Sequence, residues 1–320
     1  MTPVLILLAS YRGAEFLDQQ VLSIRRQTHV DWQLLIHNDG ADPEMQALVE
    51  EHSRQDQRIE WLTEVVSTRR GACGNFAYLM DEAQKRNCHY FALADQDDVW
   101  DGNKLERQLT ALKDREIEVG ACTPLLLHTD LRVVNVQLAT IAESFIGLRC
   151  LDPTPPLASL LAQNSVTGCS CVGNQALLKV ALPVPESAAM HDWWLALCAS
   201  SAGELLYLNE PTVCYRQHAN NAIGTRVGFK NRHTWDFFRT TVQRARKAFQ
   251  ASFFQAQALS DRLPLNSAAQ VTLQAYINLL KVGRRQRYSL YRQLAIRRAG
   301  RLAQWQFVCQ LMLQPVAPAN

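Results

Sequence analysis

The first hundred residues alternate short apolar runs with segments in which apolar side chains recur at helical spacing. The apolar runs predict strands over Val4–Ser10, Trp32–His37, Ile59–Val65 and Tyr90–Ala94. The segments between them predict helices over Glu15–Gln27, after Pro43 through Ser53, and over Asn75–Arg86. Strands and helices that alternate in this way form a mostly parallel sheet covered by helices on both faces. We therefore expect an α/β fold.

The rest of the chain is less regular. The pattern predicts helices over Lys104–Asp114, after the loop Pro153–Pro156 and over His191–Ser200, with strands over Val119–His128, Thr167–Val172, Leu205–Leu208 and Thr212–Gln217. From Thr225 onward the pattern becomes helical and basic. We therefore expect an α/β unit over residues 1–224 and a helical region over 225–320.

Polar side chains follow three of the predicted strands directly. Ser10 and Tyr11 end the first strand, Asp39 follows the second, and an Asp-Gln-Asp-Asp run follows the fourth. The carboxyl ends of parallel strands meet at one ligand crevice, so we expect these residues to lie along it. The residues after the first strand lack GxGxxG, so a nicotinamide cofactor is not expected.

The carboxylates of Asp95, Asp97 and Asp98 would repel one another at the end of a buried strand unless a cation or a shared proton relieved them. A divalent metal is the simplest answer. Two residues far downstream have alternative roles. Asp192 could be either a helix cap or a general base. His218 could be either a partly buried structural histidine or a metal ligand.

Charge divides the chain unevenly. Residues 1–224 contain 17 Lys and Arg against 28 Asp and Glu, whereas residues 225–320 contain 16 against 2, with no acidic residue after Asp261. Such a tail would be drawn to lipid headgroups, to nucleic acid or to the acidic part of the same protein. Aromatic residues are not interleaved as in nucleic-acid modules, so no nucleic-acid partner is expected.

One stripe in the tail has two interpretations. Apolar residues at helical spacing, interspersed with arginines, indicate either a helix packed on the protein or on a second subunit, or a helix in the membrane interface. The stripe consists of Tyr291, Leu294, Ala295, Leu302, Trp305, Val308 and Met312. No run approaches the roughly 18 apolar residues of a membrane span, so membrane contact would be peripheral.

The cysteines and the N-terminus indicate a cytosolic protein. The nine cysteines are an odd number without a CxxC pair and are scattered through apolar segments, as expected of reduced, buried thiols. The apolar run Val4–Ala9 is too short for a signal sequence and has no basic residue before it, so it is interpreted as a strand.

Several motifs in order resemble those of family-2 glycosyltransferases with a GT-A fold, and in particular the bacterial rhamnosyltransferase-like branch of surface-polysaccharide synthesis. The resemblance is collinear over roughly residues 3–224. It rests on Leu8–Gly13 with Phe16-Leu17, Gln27-Thr28, Trp32, Ile36–Asp42, Gly74–Phe76, Asp95–Trp100 with Lys104-Leu105, His128–Asp130, Thr167–Cys169, Met190–Trp194 and Tyr215–Asn220 through Gly224.

The resemblance implies an inverting transfer of a sugar from a nucleoside diphosphate to a saccharide acceptor in lipopolysaccharide O-antigen or another surface polysaccharide. Asp192 would be the catalytic base, and Asp97 with His218 would bind Mg²⁺ or Mn²⁺. The donor nucleotide would be held by Ser10, Tyr11, Asp39, Arg70 and Asp95. The sugar or acceptor pocket would contain Asp98, Trp100, Lys104, His191 and Trp193.

The implied partners are a dTDP-rhamnose or UDP-hexose donor and a lipid-linked saccharide acceptor at the inner face of the cytoplasmic membrane. The tail could also pair two copies of the chain. Three positions depart from the family pattern: Asn38 stands where Asp is frequent, Ala41 where Ser is frequent, and Gly74 where Arg is frequent. The last change leaves Arg69 or Arg70 as substitutes near the nucleotide.

Two alternatives stay open at this point. Asp95–Val99 also satisfies the DxDx[TV] pattern of haloacid-dehalogenase-type phosphotransferases, in which the first Asp is a nucleophile, although no acidic pair follows downstream. A catalytically inactive carbohydrate-binding homologue is the second alternative, in view of Asn38 and Gly74.

Overall fold

The computed structural model describes residues 3–63, 69–218, 234–263 and 267–316. The strands are β1 Val4–Ser10, β2 Trp32–Asn38, β3 Ile59–Trp61, β4 Tyr90–Asp95, β5 Val99–Trp100, β6 Leu125–Val134, β7 Thr140–Ala142, β8 Cys171–Asn174 and β9 Glu204–Arg216. The helices are α1 Ala14–Arg25, α2 Pro43–Gln55, α3 Gly71–Lys85, α4 Lys104–Val119, α5 Phe145–Arg149, α6 Leu157–Ala162, α7 Gln175–Ala181, α8 His191–Ala202, α9 Thr234–Ser260, α10 Ala268–Asn278, α11 Arg284–Gln293 and α12 Arg301–Leu313.

The strands form one mixed sheet in the order β3-β2-β1-β4-β8-β6-β9-β5, with β7 beside β6. β3, β2, β1 and β4 are parallel, as the alternation predicts. β8 is antiparallel to both β4 and β6, so β6 and its parallel neighbour β9 regain the direction of β1. The expected mostly parallel α/β architecture is therefore confirmed, and the carboxyl ends of β1, β2 and β4 lie together.

Three predicted elements of the middle third differ from the structure. The strand expected over Val119–His128 begins six residues later, because α4 continues to Val119 and ends at Gly120, whose φ is +92°. The segment Thr167–Val172 contains a 3₁₀ turn over Gly168–Ser170 before β8 begins. The two strands expected around Leu205 and Thr212 are the single strand β9, which shifts its register on β6 near Asp130.

The core has two layers because side chains of β1 alternate between the two faces of the sheet. Leu5 and Leu7 pack with α3, α7 and α8, whereas Val4, Ile6 and Leu8 pack with α1, α2 and α4. All five side chains are at most 3% exposed. The buried sheet holds the strand ends rigidly, and polar groups at those ends face the crevice.

The C-terminal helices pack on the first of these layers. Phe253 contacts Tyr276 with ring centroids 4.7 Å apart, and Phe249 contacts Phe307 at 5.5 Å. These aromatic side chains are buried in the same cluster as Leu160 of α6 and other residues of α6 and α8. The predicted boundary at residue 224 and the predicted end of a strand at Val65 lie outside the described residues.

The apolar stripe of the tail divides between two helices. α11 ends before Ala295 and α12 begins after Gly300, and both of these residues have positive φ. Tyr291 and Leu294 pack against the core, whereas Trp305 is 64% exposed. Among the described helices, none is both long enough and apolar enough to cross a membrane.

Candidate active site

A cavity of about 540 Å³ opens at the carboxyl ends of β1, β2 and β4. Most of the residues expected in the crevice line it, although they are far apart in the sequence. From the predicted site these are Ser10, Tyr11, Asp39, Asp95, Asp97, His191, Asp192 and His218. The strand ends and the first turn of α8 therefore place them around one space.

Asp39 anchors one end of the cavity. Its Oδ1 and Oδ2 accept hydrogen bonds from the main-chain N–H groups of Arg70 and Gly71, both at 2.8 Å, where α3 begins. A carboxylate is stabilised at a helix N-terminus by the exposed N–H groups and the helix dipole. Only 2% of Asp39 is exposed, so its carboxylate is fixed in place.

Arg69 provides the cationic side chain at this end. Its guanidinium lies 3.7 Å from the ring centroid of Tyr11, and its Nε lies 3.7 Å from Oδ2 of Asp39. Arg70 was the residue expected here, but it does not line the cavity, and its guanidinium lies over the ring of Tyr78 at 4.9 Å. Of the two candidate arginines, Arg69 therefore faces the site.

Gln96 holds the loop that carries Tyr11. Its Oε1 accepts a hydrogen bond from the main-chain N–H of Tyr11 at 2.8 Å, and its Nε2 donates to the main-chain oxygen of Tyr11 at 3.0 Å. Gly13 makes room for it, because a Cβ at residue 13 would lie 2.0 Å from Cδ of Gln96. The side chain of Gln96 thus connects the acidic loop, which is the Asp-Gln-Asp-Asp run at the end of β4, to the loop that carries Tyr11.

The polar strand ends are also connected on the buried side of the cavity. Ser10 Oγ donates to Oδ1 of Asn38 at 3.0 Å, so β1 and β2 are joined where they end. Nδ2 of Asn75, on α3, donates to the main-chain oxygens of Ser10 at 3.3 Å and His37 at 3.1 Å. Asn75 is 2% exposed, which makes it a support of the strand ends.

The acidic run divides into exposed and buried carboxyl groups. Asp97 reaches the cavity, and its Oδ2 lies 2.7 Å from Nε2 of His218. Asp95 also lines the cavity, and burial together with the nearby Asp97 and Asp192 raises its pKa to about 8. Asp98 is fully buried, and its burial beside Asp97 and Asp95 raises its pKa well above the ordinary value.

The donor atoms at Asp97 and His218 suit a divalent cation. Carboxylate oxygen and imidazole nitrogen are ligands of Mn²⁺, and carboxylate oxygen is the ligand that Mg²⁺ prefers. A second cluster lies deeper, where ligand atoms of Asp95, Asp98 and Cys169 are within 4.8 Å of one another. Burial raises the pKa of the Cys169 thiol, so that cluster suits shared protons better than a hard cation.

Asp192 lies at the start of α8 and lines the same cavity. Its Oδ1 accepts from Nδ2 of Asn164 at 3.1 Å and from the main-chain N–H of Trp193 at 2.6 Å, and its Oδ2 accepts from the N–H of Gly168 at 3.1 Å. Burial raises the pKa of Asp192 to about 6 despite these hydrogen bonds. A carboxylate with that pKa can accept a proton near neutral pH.

His191 is held as a neutral ring beside Asp192. Its ring stacks on Phe76 with centroids 3.8 Å apart, and burial lowers its pKa to about 3. Gly168 is required at this contact, since a Cβ there would lie 2.6 Å from Nε2 of His191. His191 lines the cavity as expected, but as an uncharged packing surface.

Four residues expected in the sugar or acceptor pocket do not line the cavity. Asp98 points inward and accepts a hydrogen bond from the main-chain N–H of Arg216 at 3.2 Å. Trp100 is 3% exposed, and Lys104 lies 3.9 Å from its ring centroid, where burial lowers the lysine pKa to about 8. Trp193 packs inside the core and donates to the main-chain oxygen of Leu160 at 2.7 Å.

These four side chains are buried because strand and helix periodicity turns them away from the crevice. They were expected at the site because they belong to the same family motifs as Asp97 and Asp192. Conversely, Gln96 and Arg216 support the cavity although neither was among the predicted site residues. Their signal was weak, because each depends on contacts with residues distant in the sequence or on the exact turn that its loop makes.

Comparisons with known proteins identify the family of the chain. A family model described as "Glycosyl transferase family 2" matches residues 5–125. WfgD of Escherichia coli, described as a "UDP-Glc:alpha-D-GlcNAc-diphosphoundecaprenol beta-1,3-glucosyltransferase", is 31% identical over 73% of this chain and 84% of its own. RfbG of Shigella flexneri, described as a "dTDP-rhamnosyl transferase", is 24% identical over 71% of this chain and 76% of its own.

Solved structures agree in fold. TarS 1-349 of S. aureus has a TM-score of 0.57 at 13% identity, with 98% of this chain and 81% of that chain covered. The mannosyltransferase PcManGT of Pyrobaculum calidifontis, solved with GDP-Man and Mn²⁺, has a TM-score of 0.51 at 13% identity, with 97% and 87% covered. The family match and the 31% identity to WfgD show that the chain belongs to glycosyl transferase family 2.

Proposed function

We propose that this protein is an inverting, metal-dependent glycosyltransferase that moves a sugar from a nucleoside diphosphate to a saccharide acceptor. The observation that carries the proposal is that one cavity is lined by three groups: Asp39 and Tyr11 in contact with Arg69, Asp97 in contact with His218, and Asp192. These groups match the three parts of such a reaction, which are the nucleotide, the diphosphate and the attacking hydroxyl group.

The nucleotide end would bind the base and the ribose. The Tyr11 ring and the Arg69 guanidinium offer a flat surface and a positive charge, while Asp39 offers carboxylate oxygens beside them. Asp95 lies between this end and Asp97, where a ribose would follow the base. Ser10 supports this region through its bond to Asn38.

The diphosphate would lie next to Asp97 and His218, which would hold Mg²⁺ or Mn²⁺. A divalent cation there would offset the charge that grows on the departing nucleotide. His218 and Asp97 are in direct contact and only 12% and 15% exposed at their side chains, so they form a fixed pair on the wall of the cavity. The fixed pair would orient the donor before reaction.

Asp192 would act as the catalytic base. In its charged form it could remove the proton of an acceptor hydroxyl group as that oxygen attacks the anomeric carbon, and a single displacement inverts the configuration. Three hydrogen bonds fix the carboxylate, and burial raises its pKa toward the working pH. The neutral His191 ring beside it adds no competing positive charge.

The donor and acceptor classes are inferred from the named relatives. RfbG is described as a dTDP-rhamnosyl transferase, and WfgD is described as acting on a diphosphoundecaprenol-linked sugar. On this basis we infer dTDP-rhamnose or a UDP-hexose such as UDP-galactose as donor, and a lipid-linked saccharide of lipopolysaccharide O-antigen or another surface polysaccharide as acceptor. The protein would work in the cytoplasm, peripherally at the inner face of the membrane.

The haloacid-dehalogenase alternative receives no support from the comparisons. It also requires an ionised Asp95 as nucleophile, whereas burial and the neighbouring carboxyl groups raise the pKa of Asp95 to about 8. Incubation with a phosphate monoester and Mg²⁺ separates the two reactions, because the transferase should release no phosphate. The second alternative, a catalytically inactive homologue, is excluded if the protein transfers a sugar from donor to acceptor.

The main experiment is a thermal-shift screen of UDP, dTDP and GDP with and without Mn²⁺. A ligand that binds only the native state raises the melting temperature. We expect UDP or dTDP to raise it further when Mn²⁺ is present, and Asp97→Asn to remove the additional increase. Asp101→Asn, on a partly exposed residue outside the cavity lining, is the matched control. A nucleotide response that does not change with metal or with Asp97→Asn would contradict the proposal.

A further inference from the structure

A second cavity lies at the corner between α11 and α12 and has a volume of about 740 Å³. It is lined by Arg292, Arg297, Arg298 and Arg301, together with the aromatic residues Tyr291 and Trp305. None of its lining residues is acidic, and the sequence has no Asp or Glu after Asp261. The Arg298 guanidinium lies over the ring of the buried Phe307 at 5.7 Å, and the other three arginines surround a concave space without a carboxylate, which makes the potential there positive.

The geometry of the corner adds donors to this charge. Gly300 has φ +81° and directs the chain into α12, whose first turn has no side-chain cap hydrogen bond. Guanidinium forks and helix N-termini both bind phosphate oxygens well. The corner therefore suits an anion with several oxygens, such as a diphosphate.

The corner is held rigidly by its neighbours. The main-chain N–H of Arg298 donates to Oε1 of Gln304 at 2.6 Å, and Nε2 of Gln304 donates to the hydroxyl oxygen of Tyr291 at 2.5 Å. Gln304 thus connects the first turn of α12 to α11. A binding site that is already formed loses less entropy when it orders its ligand.

The same corner is connected to the proposed catalytic base through α6. The main-chain N–H of Ala299 donates to Oε1 of Gln163 at 2.8 Å, and the main-chain N–H of Arg297 donates to Oγ of Ser159 at 2.9 Å. The next residue after Gln163 is Asn164, whose Nδ2 donates to Oδ1 of Asp192 at 3.1 Å. The arginine cavity therefore lies on the Asp192 side of the catalytic cavity.

Exposed apolar groups lie beside the arginines. Leu302 is 67% exposed and Trp305 is 64% exposed, on the first turns of α12. Apolar and aromatic residues next to arginines suit a molecule that has both a phosphate group and a hydrocarbon chain. A lipid diphosphate has both of these parts.

We propose that this arginine cavity binds the diphosphate of the lipid-linked acceptor, so that the attached saccharide extends toward Asp192 and the hydrocarbon chain lies along Leu302 and Trp305. The inference deepens the proposed function and rests on it for the identity of the acceptor. It assigns the acceptor's anionic group to the C-terminal helices, and it separates this group from the donor diphosphate at Asp97.

The test measures binding of farnesyl diphosphate, a short isoprenyl diphosphate, in the presence of saturating UDP and Mn²⁺, which keep the donor site filled. The variant is Arg297→Gln with Arg301→Gln. The matched control is Arg284→Gln with Arg285→Gln, which removes the same charge from exposed positions on α11 outside the cavity lining. Arg292→Gln is a second cavity variant for use if the first pair fails to fold.

We expect the cavity variant to bind farnesyl diphosphate about tenfold or more weakly, because each charge-assisted hydrogen bond to phosphate contributes substantially. The control pair should bind almost as tightly as the original protein, and UDP affinity should not change in either. Equal losses in both pairs would show general charge attraction and overturn the proposal, as would no loss in the cavity variant.

Vesicles that contain phosphatidylglycerol form the second arm, since a lipid headgroup also offers phosphate. If the cavity variant loses vesicle binding but retains farnesyl diphosphate affinity, the cavity is a headgroup site and the acceptor assignment is wrong. Failure of both UDP and dTDP to bind with Mn²⁺ would instead contradict the proposed function. The two failures are therefore distinguishable.

Discussion

The Nε of Arg216 donates a hydrogen bond to the main-chain oxygen of Asp97 over 2.7 Å, which ties the end of β9 to the acidic loop. The main-chain N–H of Arg216 also donates to Oδ1 of Asp98 at 3.2 Å, and its guanidinium reaches Oε1 of Gln19 and the main-chain oxygen of Val136. Only 1% of Arg216 is exposed. Asp97 is therefore presented to the cavity by an arginine located behind it.

Arg216→Lys should lower the free energy of unfolding by about 3 kcal/mol, because an ammonium group cannot reach all the acceptors and leaves buried oxygens without donors. Urea unfolding measures this change. Affinity for UDP with Mn²⁺ should fall as well, since the Asp97 loop loses its support. Arg107→Lys, at an exposed arginine paired with Glu210, is the control and should cost less than about 1 kcal/mol. Equal costs for the two variants would contradict this role of Arg216.

Gly13→Ala tests the contact between the Tyr11 loop and Gln96. The backbone of Gly13 has φ −126°, which any residue adopts, so only the side-chain clash matters. The new Cβ would lie 2.0 Å from Cδ of Gln96 and force it away from Tyr11. We expect a loss of about 1–3 kcal/mol in stability, as for other overpacked sites, and weaker UDP binding.

Gln96→Ala provides the second side of a double-mutant cycle. It removes two hydrogen bonds to Tyr11 and also the atoms that obstruct a Cβ at residue 13. The double variant should therefore be about as stable as Gln96→Ala alone. If the stability losses of the two single variants instead add in the double variant, the clash with Gln96 is not the cause of the loss in Gly13→Ala.

The pH dependence of the rate tests Asp192. Its pKa is raised to about 6 by burial, and a base is active in its charged form, so kcat should rise with pH, reach half its maximum near pH 6 and level off about one pH unit higher. Asp95 also has a raised pKa, of about 8, and lies at the proposed donor site, so its titration would affect donor binding. The rate should therefore be measured with saturating donor and Mn²⁺. His191, with a pKa of about 3, is neutral across this range and cannot produce the inflection.

Asp192→Asn should lower kcat by about two to four orders of magnitude and remove the inflection near pH 6. UDP affinity should stay close to that of the original protein, because the proposed base acts on the acceptor hydroxyl group and not on the nucleotide. An inflection that persists in Asp192→Asn would assign the base to another group.

The sequence was sufficient to predict the crevice, because the direction of parallel strands follows from their alternation with helices. Ser10, Asp39 and Asp95 all end strands of one parallel set, so their meeting point was determined before any side-chain geometry was known. The downstream pair Asp192 and His218 could be placed only through the family resemblance. The packing of α8 and β9 on the sheet depends on contacts that are distant in the sequence.

Side-chain direction was the main source of error. Asp97 and Asp98 are neighbours in the sequence, yet one reaches the cavity and the other is buried, because the turn after β4 directs successive side chains to opposite sides. Lys104 is charged in most surroundings and was expected near the sugar. In the structure it is buried, and its Nζ donates to Oε1 of Gln108 at 2.7 Å. No periodicity in the sequence distinguishes such a lysine from an exposed one.

Arg287 lets us test whether the α11–α12 corner depends on a buried cation. Its guanidinium is fully buried and donates to the main-chain oxygens of Leu311 at 2.8 Å, Gln314 at 2.7 Å and Val282 at 3.1 Å. Arg287→Met keeps most of the side-chain volume but leaves these oxygens without a donor. We expect a loss of about 3 kcal/mol in stability and faster amide hydrogen exchange in α12. Arg284→Met, on the exposed side of the same helix, should change neither quantity. If the two variants behave alike, the C-terminal carbonyl groups do not need Arg287, and the arginine cavity beside them is held in shape by other contacts, such as those of Gln304 and Gln163.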